Sequence, residues 1–207
     1  MRRALVALTA GGLVLAGVAG PALATPGGGS ELVFSTSDRQ FDRGIDNQGW
    51  WSANVANSDA NENYSTGFFA GRLYRDFFTF DLRSLRGTVV AARLSVRVFG
   101  MSGPPPQTLG LFDVGTDAAT LNDNVGPSHA IYDDLGTGVT YGTFVVRLRR
   151  AGVIDLELNS DGVAAINAAA GGWFSIGGAL LSIDRKRDFL FGDSSGKGIQ
   201  DLIVTLG

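Results

Sequence analysis

Apolar and polar residues alternate along much of the chain after residue 30, and glycines mark the turns between the alternating runs. A period of two places successive side chains on opposite faces of a strand, which predicts antiparallel sheets with one buried and one wet face. In the clearest run, Leu94, Val96 and Val98 point one way and the residues between them point the other. The runs predicted as strands are 31–36, 72–82, 89–99, 173–182, 189–191 and 199–206.

Two further runs predict a local hairpin. Runs 144–149 and 153–158 flank a three-residue loop that ends in Gly152, which suits a type I turn followed by a G1 bulge. This register places Val146 opposite Leu156 on one face. On the other face it places Arg147 opposite Asp155, a favourable charge pair of roughly 0.2–1 kcal/mol.

One short helix is predicted near residues 161–170. Ser160 is suited to cap it, Val163 and Ile166 lie on one side, and Gly171 is suited to end it in the left-handed conformation. Segments 37–63 and 113–131 are rich in Asn, Asp and Gly, and are predicted to be loops. Many short strands and one helix predict an all-β fold, an antiparallel β-sandwich with a jelly-roll-like arrangement.

The N-terminus has the features of a secretory signal. Arg2 and Arg3 precede an apolar run over residues 4–20, and Ala22-Leu23-Ala24 fits an A-x-A cleavage site. A membrane anchor is the alternative, but the Gly- and Ala-rich run falls short of the ~20 strongly apolar residues of a span. We expect a secreted, extracellular protein with a signal peptide at 1–24, a flexible leader at 25–30 and one domain at 31–207.

Composition narrows the classes of partner. The chain has no cysteine, which excludes disulfides and thiolate metal sites. Loss of Arg2 and Arg3 with the signal would lower the net charge from −3 to −5. Nucleic acids and anionic lipids favour basic surfaces. We therefore expect no nucleic-acid partner, and no membrane attachment after cleavage.

A group of aromatic and amide residues indicates a ligand-binding site. Trp50 and Trp51 directly follow a polar stretch that includes Asn47. An aromatic ring offers an apolar platform to a sugar, and neighbouring polar groups orient its hydroxyls. Adjacent residues of a strand point to opposite sides, so only one tryptophan needs to be buried. We expect Trp50, Trp51, Asn47 and Tyr64 to serve polysaccharide or glycan binding; the alternative is that the tryptophans close one end of the core.

A calcium site is a separate expectation. Asp59, Asn61 and Asn63 place oxygen ligands at alternate positions, as a calcium-binding loop does. Tyr64 and Ala70 stand where an EF-hand has its glycine and closing glutamate, so the loop is not an EF-hand. The alternative to calcium binding is a solvated turn rich in Asn and Asp.

Catalytic candidates are few. The one histidine, His129, lies in a proline-containing loop and cannot supply the two or three ligands that catalytic zinc usually draws from histidine. The paired acids Asp133-Asp134, and Asp155 with Glu157, are candidates for glycosidase chemistry, which needs two carboxyls across one bond. The leading hypothesis is a non-catalytic binding protein. A structural or adhesive exoprotein recognising protein partners, and a small polysaccharide-active enzyme, are the alternatives.

Several segments together resemble a known class of exported protein. They are Gly49-Trp50-Trp51, Asn63-Tyr64 with Gly67, and the stretches 75–82, 111–114, 132–138 and 174–179. They resemble secreted bacterial β-sandwich proteins that often carry a PEP-CTERM sorting tail. The Phe-Phe-x-Phe-Asp-Leu core is also similar to carbohydrate-binding-like modules of the DNRLRE type. The resemblance spans most of residues 31–206 and implies an exported β-sandwich, and it gives no catalytic residues to carry over. Since no apolar sorting tail follows, we expect release from the cell.

Overall fold

A computed structural model describes residues 29–57, 63–103, 105–148, 150–184, 187–192 and 200–207. The predicted signal peptide and most of the predicted leader lie outside these residues. Strands dominate the described part of the chain, as the alternation predicted. In chain order they are β1 (Glu31–Ser35), β2 (Gln48–Trp51), β3 (Tyr64–Phe69), β4 (Arg72–Asp81), β5 (Val89–Val98), β6 (Gly100–Ser102), β7 (Gln107–Phe112), β8 (Thr140–Val146), β9 (Gly152–Glu157), β10 (Trp173–Leu180), β11 (Phe189–Gly192) and β12 (Asp201–Leu206).

Three helices stand between the strands of the described residues. They are α1 (Ala118–Asp123), α2 (His129–Asp134) and α3 (Ser160–Ala168). Helix α3 is the predicted one, but its N-cap is Asn159 and not Ser160, because the Asn159 side chain accepts hydrogen bonds from the backbone N–H groups of Asp161 and Gly162. Gly171 has the predicted left-handed conformation, with φ of 85°.

The strands form two antiparallel sheets with a jelly-roll order. The small sheet runs β1-β12-β5-β9, and the large sheet runs β6-β11-β3-β4-β10-β7-β8, with β2 paired to β4 outside that path. Eight of these strands alternate between the two sheets along the chain, except that β7 and β8 follow each other in the same sheet. The small sheet holds β1, β5, β9 and β12, and the large sheet holds β4, β7, β8 and β10. This alternation is the jelly-roll plan and confirms the predicted fold class. Strands β2, β3, β6 and β11 also belong to the large sheet but are additional to these eight strands.

The predicted hairpin between residues 144 and 158 is wrong. Strand β8 pairs with β7 in the large sheet, whereas β9 pairs with β5 in the small sheet, so the chain changes sheet between Val146 and Gly152. Asp155 lies opposite Ser95 rather than Arg147. The apolar faces that the hairpin register paired do approach each other, but across the sandwich, where both contribute to the core.

Most buried apolar side chains form one core between the sheets. Leu94, Val96 and Val98 are at most 2% exposed, as their spacing predicted. A second, smaller cluster contains Trp51, Phe77, Leu121 and Leu135. Phe78 and Phe80 on β4 belong to the main core, and Phe77, the residue before Phe78, points to the opposite face. The second cluster therefore lies on the other face of β4.

Both segments predicted as loops contain regular structure. Strand β2 lies within 37–63, while α1 and the start of α2 lie within 113–131. Their Asn, Asp and Ser residues act as caps: Asp117 accepts from backbone N–H groups at the start of α1, and Ser128 does so at the start of α2. These helices carry Leu121 of the second cluster, and α2 ends at Leu135, its C-cap, which belongs to the same cluster.

Candidate functional site

The two adjacent tryptophans of β2 have different environments, as the geometry of a strand requires. Trp51 is 4% exposed, belongs to the second apolar cluster, and donates its indole N–H to the carbonyl oxygen of Leu121 at 3.0 Å. Trp50 is partly exposed and lines an open groove. The structure therefore gives Trp51 a packing position and leaves Trp50 as the tryptophan that a ligand can reach.

Trp50 makes an edge-to-face contact with Tyr74 of β4. Their ring centroids are 4.8 Å apart, and the ring planes meet at 88°. Neither the Trp50 indole N–H nor the Tyr74 hydroxyl makes a hydrogen bond to another residue in the described part of the chain. The pair thus combines a fixed apolar corner with two polar groups that are available to a bound molecule.

The groove beside this pair has a volume of about 350 Å³ and is mostly aromatic. Its position follows from strand register: Gly67 of β3 lies opposite Tyr74 on β4 and opposite Phe189 on β11. A side chain at Gly67 would meet the backbone of Asp188 and Phe189, so a glycine at this position lets β11 lie close to β3. The lining side chains are Trp50, Asn63, Ser65, Phe69, Tyr74, Phe189 and Phe191. We call this surface the aromatic groove.

Aromatic residues continue past one end of the aromatic groove. Phe69 is 44% exposed and packs on Phe189 at a ring-centroid distance of 4.9 Å. Phe191 contacts Phe99, which is 60% exposed, at 6.4 Å. Large apolar side chains this exposed, and grouped together, mark binding surfaces more often than isolated ones do.

Asn47 and Tyr64, two predicted ligand-binding residues, lie inside the protein. Asn47 is 1% exposed; its Oδ1 accepts from the backbone N–H of Phe41, and its Nδ2 donates to the carbonyl oxygen of Asp38. Tyr64 is 1% exposed and donates its hydroxyl to the carbonyl oxygen of Arg97 at 2.7 Å. Burial raises the pKa of Tyr64 well above its usual value. These contacts tie loops and sheets together, and neither side chain faces the aromatic groove.

The three predicted calcium ligands lie only partly within the described residues. Asp59 and Asn61 lie outside the described residues, whereas Asn63 lines the aromatic groove. Within the described residues, no group of three or more His, Asp or Glu side chains is arranged to hold a metal ion. Calcium binding by this loop stays a prediction.

The candidate catalytic carboxyls belong to different parts of the fold. Asp134 accepts hydrogen bonds from the backbone N–H groups of Gly115 and Thr116, which fastens α2 to the segment after β7. Asp133 is 3.9 Å from the Arg75 guanidinium. Asp155 and Glu157 lie on β9 in the small sheet, opposite Ser95 and Arg93. Asp133 and Asp134 thus lie on a helix, whereas Asp155 and Glu157 lie on a strand of the small sheet.

Sequence reasoning found Trp50 but missed the rest of the aromatic groove. Phe189 and Phe191 are spaced two apart in a predicted strand, which places both on one face. That spacing was a usable signal, but a strand with apolar residues on one face is ordinarily assigned to the core. Phe69 and Tyr74 flank the turn at Ala70 and Gly71, and only the register between β3, β4 and β11 brings them to the same surface.

Comparisons with known proteins give only distant likenesses, and these are to solved structures. No family model matches the chain, and no curated protein matches it. Among solved structures, it is similar to the cleaved adhesin domain of Lys-gingipain from Porphyromonas gingivalis, with a TM-score of 0.35 and 12% sequence identity. The match covers 86% of this chain and 99% of that one. A likeness this distant does not extend to ligands or activity.

None of the helices in the described residues is long and apolar enough to cross a membrane.

Proposed function

We propose that this protein is a non-catalytic binding protein that works outside the cell and holds extracellular polysaccharide or cell-surface glycan in the aromatic groove. The observation that carries the proposal is the Trp50–Tyr74 corner, which presents two rings at right angles with free polar groups at their edges. The predicted signal peptide at 1–24 supports action outside the cell.

The chemistry of the groove suits a neutral sugar. Its lining contains no Asp, Glu, Lys or Arg side chain among the described residues. The apolar faces of a pyranose ring stack on aromatic rings, and its hydroxyls need donors and acceptors at the rim. Trp50, Tyr74, Asn63 and Ser65 bring such groups to one part of the groove.

Retention on a panel of insoluble and immobilised polysaccharides tests the proposal. We expect the protein to be retained on at least one class, and Trp50→Ala to weaken that binding about tenfold, which corresponds to about 1.4 kcal/mol. Phe41→Ala is the matched control, because Phe41 is another exposed aromatic residue, and it packs on Trp173 rather than in the groove. Equal losses in both variants, or no retention of the wild-type protein, would contradict glycan binding by the groove.

The same assay, repeated with calcium and with a chelator, tests the calcium prediction. Loss of retention in chelator alone would assign a role to the loop that contains Asp59, Asn61 and Asn63. Identical retention in both buffers would contradict a calcium requirement.

A second candidate, an adhesive protein that recognises a protein partner, is favoured by the exposed phenylalanines. Phe69 and Phe99 extend the apolar surface beyond the Trp50–Tyr74 corner, and a phenylalanine has no polar group for a sugar hydroxyl. Phe99→Ala distinguishes the two. A protein-recognising surface would lose adhesion to cells in this variant, whereas glycan binding at Trp50 and Tyr74 would leave polysaccharide retention unchanged.

A further inference from the structure

The hairpin formed by β3 and β4 presents apolar side chains on both of its faces. Its turn is tight, with φ of 50° at Ala70 and 81° at Gly71, as in the type I′ turns of two-residue hairpins. Phe68 lies opposite Leu73, while Gly67 lies opposite Tyr74. Successive side chains of a strand point to opposite faces, so Phe68 and Leu73 lie on the face away from Tyr74.

A second depression lies against this other face. Its volume is about 320 Å³, and it shares no lining residue with the aromatic groove. Phe68 and Leu73 form one wall, and α2 with the segment after β2 forms the other. Besides apolar surface it carries several hydrogen-bonding side chains, among them Asn54, His129, Tyr132 and Asp133.

Arg75 fixes the wall that α2 provides. Its Nη1 donates to the carbonyl oxygens of Tyr132 and Asp133 at 2.7 and 3.0 Å. Its guanidinium carbon is 4.3 Å from the centre of the Tyr132 ring, which is a cation–π contact. The backbone N–H of Ser128 also bonds the carbonyl oxygen of Ser52. The orientation of the Tyr132 ring is thus set before any ligand arrives, which lowers the entropic cost of binding.

We infer that this depression is a second carbohydrate-binding surface, so that one molecule binds two polysaccharide segments, one on each face of the β3–β4 hairpin. The inference rests on the proposed function. Phe68 and Tyr132 provide apolar rings against which a sugar packs, and Asn54, His129 and Asp133 provide donors and acceptors for its hydroxyls. The aromatic groove is poorer in such groups, so the two surfaces differ in the sugar contacts they favour.

Two surfaces back to back on one hairpin give the protein a capacity that one groove lacks. A single site can coat a polysaccharide but cannot join two chains. Two independent sites join chains into a network, and they bind a long chain more tightly through effective concentration when both engage it.

The test uses the full-length protein and three soluble probes, namely xylan, galactomannan and laminarin, together with their hexasaccharides. Calorimetric titration with a hexasaccharide counts sites, and turbidity on mixing with the parent polymer reports cross-linking. Size-exclusion chromatography with light scattering fixes the oligomeric state, so that self-association is not mistaken for two sites. We expect a monomer with two hexasaccharides bound, and turbidity with the polymer.

Variants assign the two sites. Tyr132→Ala is expected to reduce the stoichiometry from two to one and to abolish turbidity, while Tyr132→Phe, which keeps the ring, preserves both. Because Tyr132 also contacts Arg75, the double variant Asn54→Ala/His129→Ala serves as a second test; both of its residues are exposed, so the fold is kept. Trp50→Ala is expected to remove the other site in the same way.

The outcomes separate this inference from the proposed function. One bound hexasaccharide in the wild-type protein, lost on Trp50→Ala and unaffected by Tyr132→Ala or the double variant, overturns the second surface and leaves the first. One bound hexasaccharide that is lost on Tyr132→Ala and unaffected by Trp50→Ala overturns the proposed role of the aromatic groove and the paired sites. Failure of the wild-type protein to bind any of the three probes overturns both.

Discussion

Asp76 of β4 and Gly178 of β10 lie directly opposite each other, and the Asp76 carboxyl occupies the space into which a side chain at position 178 would project. Asp76 is 2% exposed, and its Oδ1 has no hydrogen-bond partner among the described residues. A glycine at 178 is therefore what allows this polar group to be enclosed between two central strands.

Gly178→Ala is expected to destabilise the protein by roughly 1–3 kcal/mol, because overpacking a filled interior forces side chains or backbone to move. Urea unfolding measures the difference. The matched control is Gly172→Ala, where an added methyl group meets nothing closer than the Ala169 carbonyl oxygen at 3.5 Å. Equal stability of Gly178→Ala and the wild-type protein would show that Asp76 moves aside without cost.

Asp76→Asn is expected to stabilise the protein at neutral and alkaline pH. Burial raises the pKa of Asp76 well above its usual value, because the charged form loses its hydration. A carboxyl with a raised folded pKa contributes its stability while protonated, and loses it as pH rises from the unfolded pKa through the folded one. The wild-type protein should therefore lose stability with rising pH in that window, and the variant should lose less.

Asp81→Asn provides the opposite trend as a control for the measurement. Its carboxyl accepts two hydrogen bonds from the Arg83 guanidinium, at 2.7 and 2.8 Å, and this contact lowers the pKa of Asp81. The stability it contributes is present above the unfolded pKa and is lost as pH falls through the folded one. Unfolding free energies measured from pH 3 to 9 should place Asp76→Asn above wild type and Asp81→Asn below it at neutral and alkaline pH, and both differences should shrink as pH falls. Parallel curves for Asp76→Asn and wild type would contradict the raised pKa of Asp76.

Trp51→Ala and Trp50→Ala should separate stability from binding. Trp51 is buried, and its loss should cost about 3–5 kcal/mol, as for other large-to-small changes in a core. Trp50→Ala should cost only about 1 kcal/mol, since it loses chiefly one aromatic edge contact. Thermal melting with circular dichroism measures both. Similar losses in the two variants would mean that Trp50 is a packing residue after all.

The start of α3 can be tested by the same method. Asn159→Ala should destabilise the protein by about 1 kcal/mol, because two backbone N–H groups lose their acceptor. Ser160→Ala should change stability by less than about 0.5 kcal/mol, as for an exposed residue without a special role. A larger loss of stability in Ser160→Ala than in Asn159→Ala would indicate that Ser160 is the N-cap.

The fold was predictable from the sequence to the level of strands, and not to the level of their partners. Alternation located β1, β4, β5, β10, β11 and β12 to within a few residues, because each has one face in a core. The wrong hairpin prediction shows why strand partners could not be predicted from spacing alone. Phe144, Val146, Leu156 and Leu158 have compatible spacing whether they pair within one sheet or face each other across a sandwich, and a jelly roll uses the second arrangement.

The site was harder to predict than the fold. Trp50 was identified because tryptophan is rare and stood beside polar residues, but the same reasoning selected Asn47 and Tyr64, which the structure buries. Exposure depends on which neighbouring strands cover a residue, and this information is absent from local spacing. Phe189 and Tyr74 are far apart in the chain and share a surface only because both lie opposite Gly67.

The aromatic groove lies largely on strands that the eight-stranded jelly roll does not contain. Trp50 is on β2, Ser65 and Phe69 are on β3, and Phe189 and Phe191 are on β11. Most of the groove surface could therefore change, by substitution at Trp50, Phe69 or Phe191, while the strand order of the central eight stays the same.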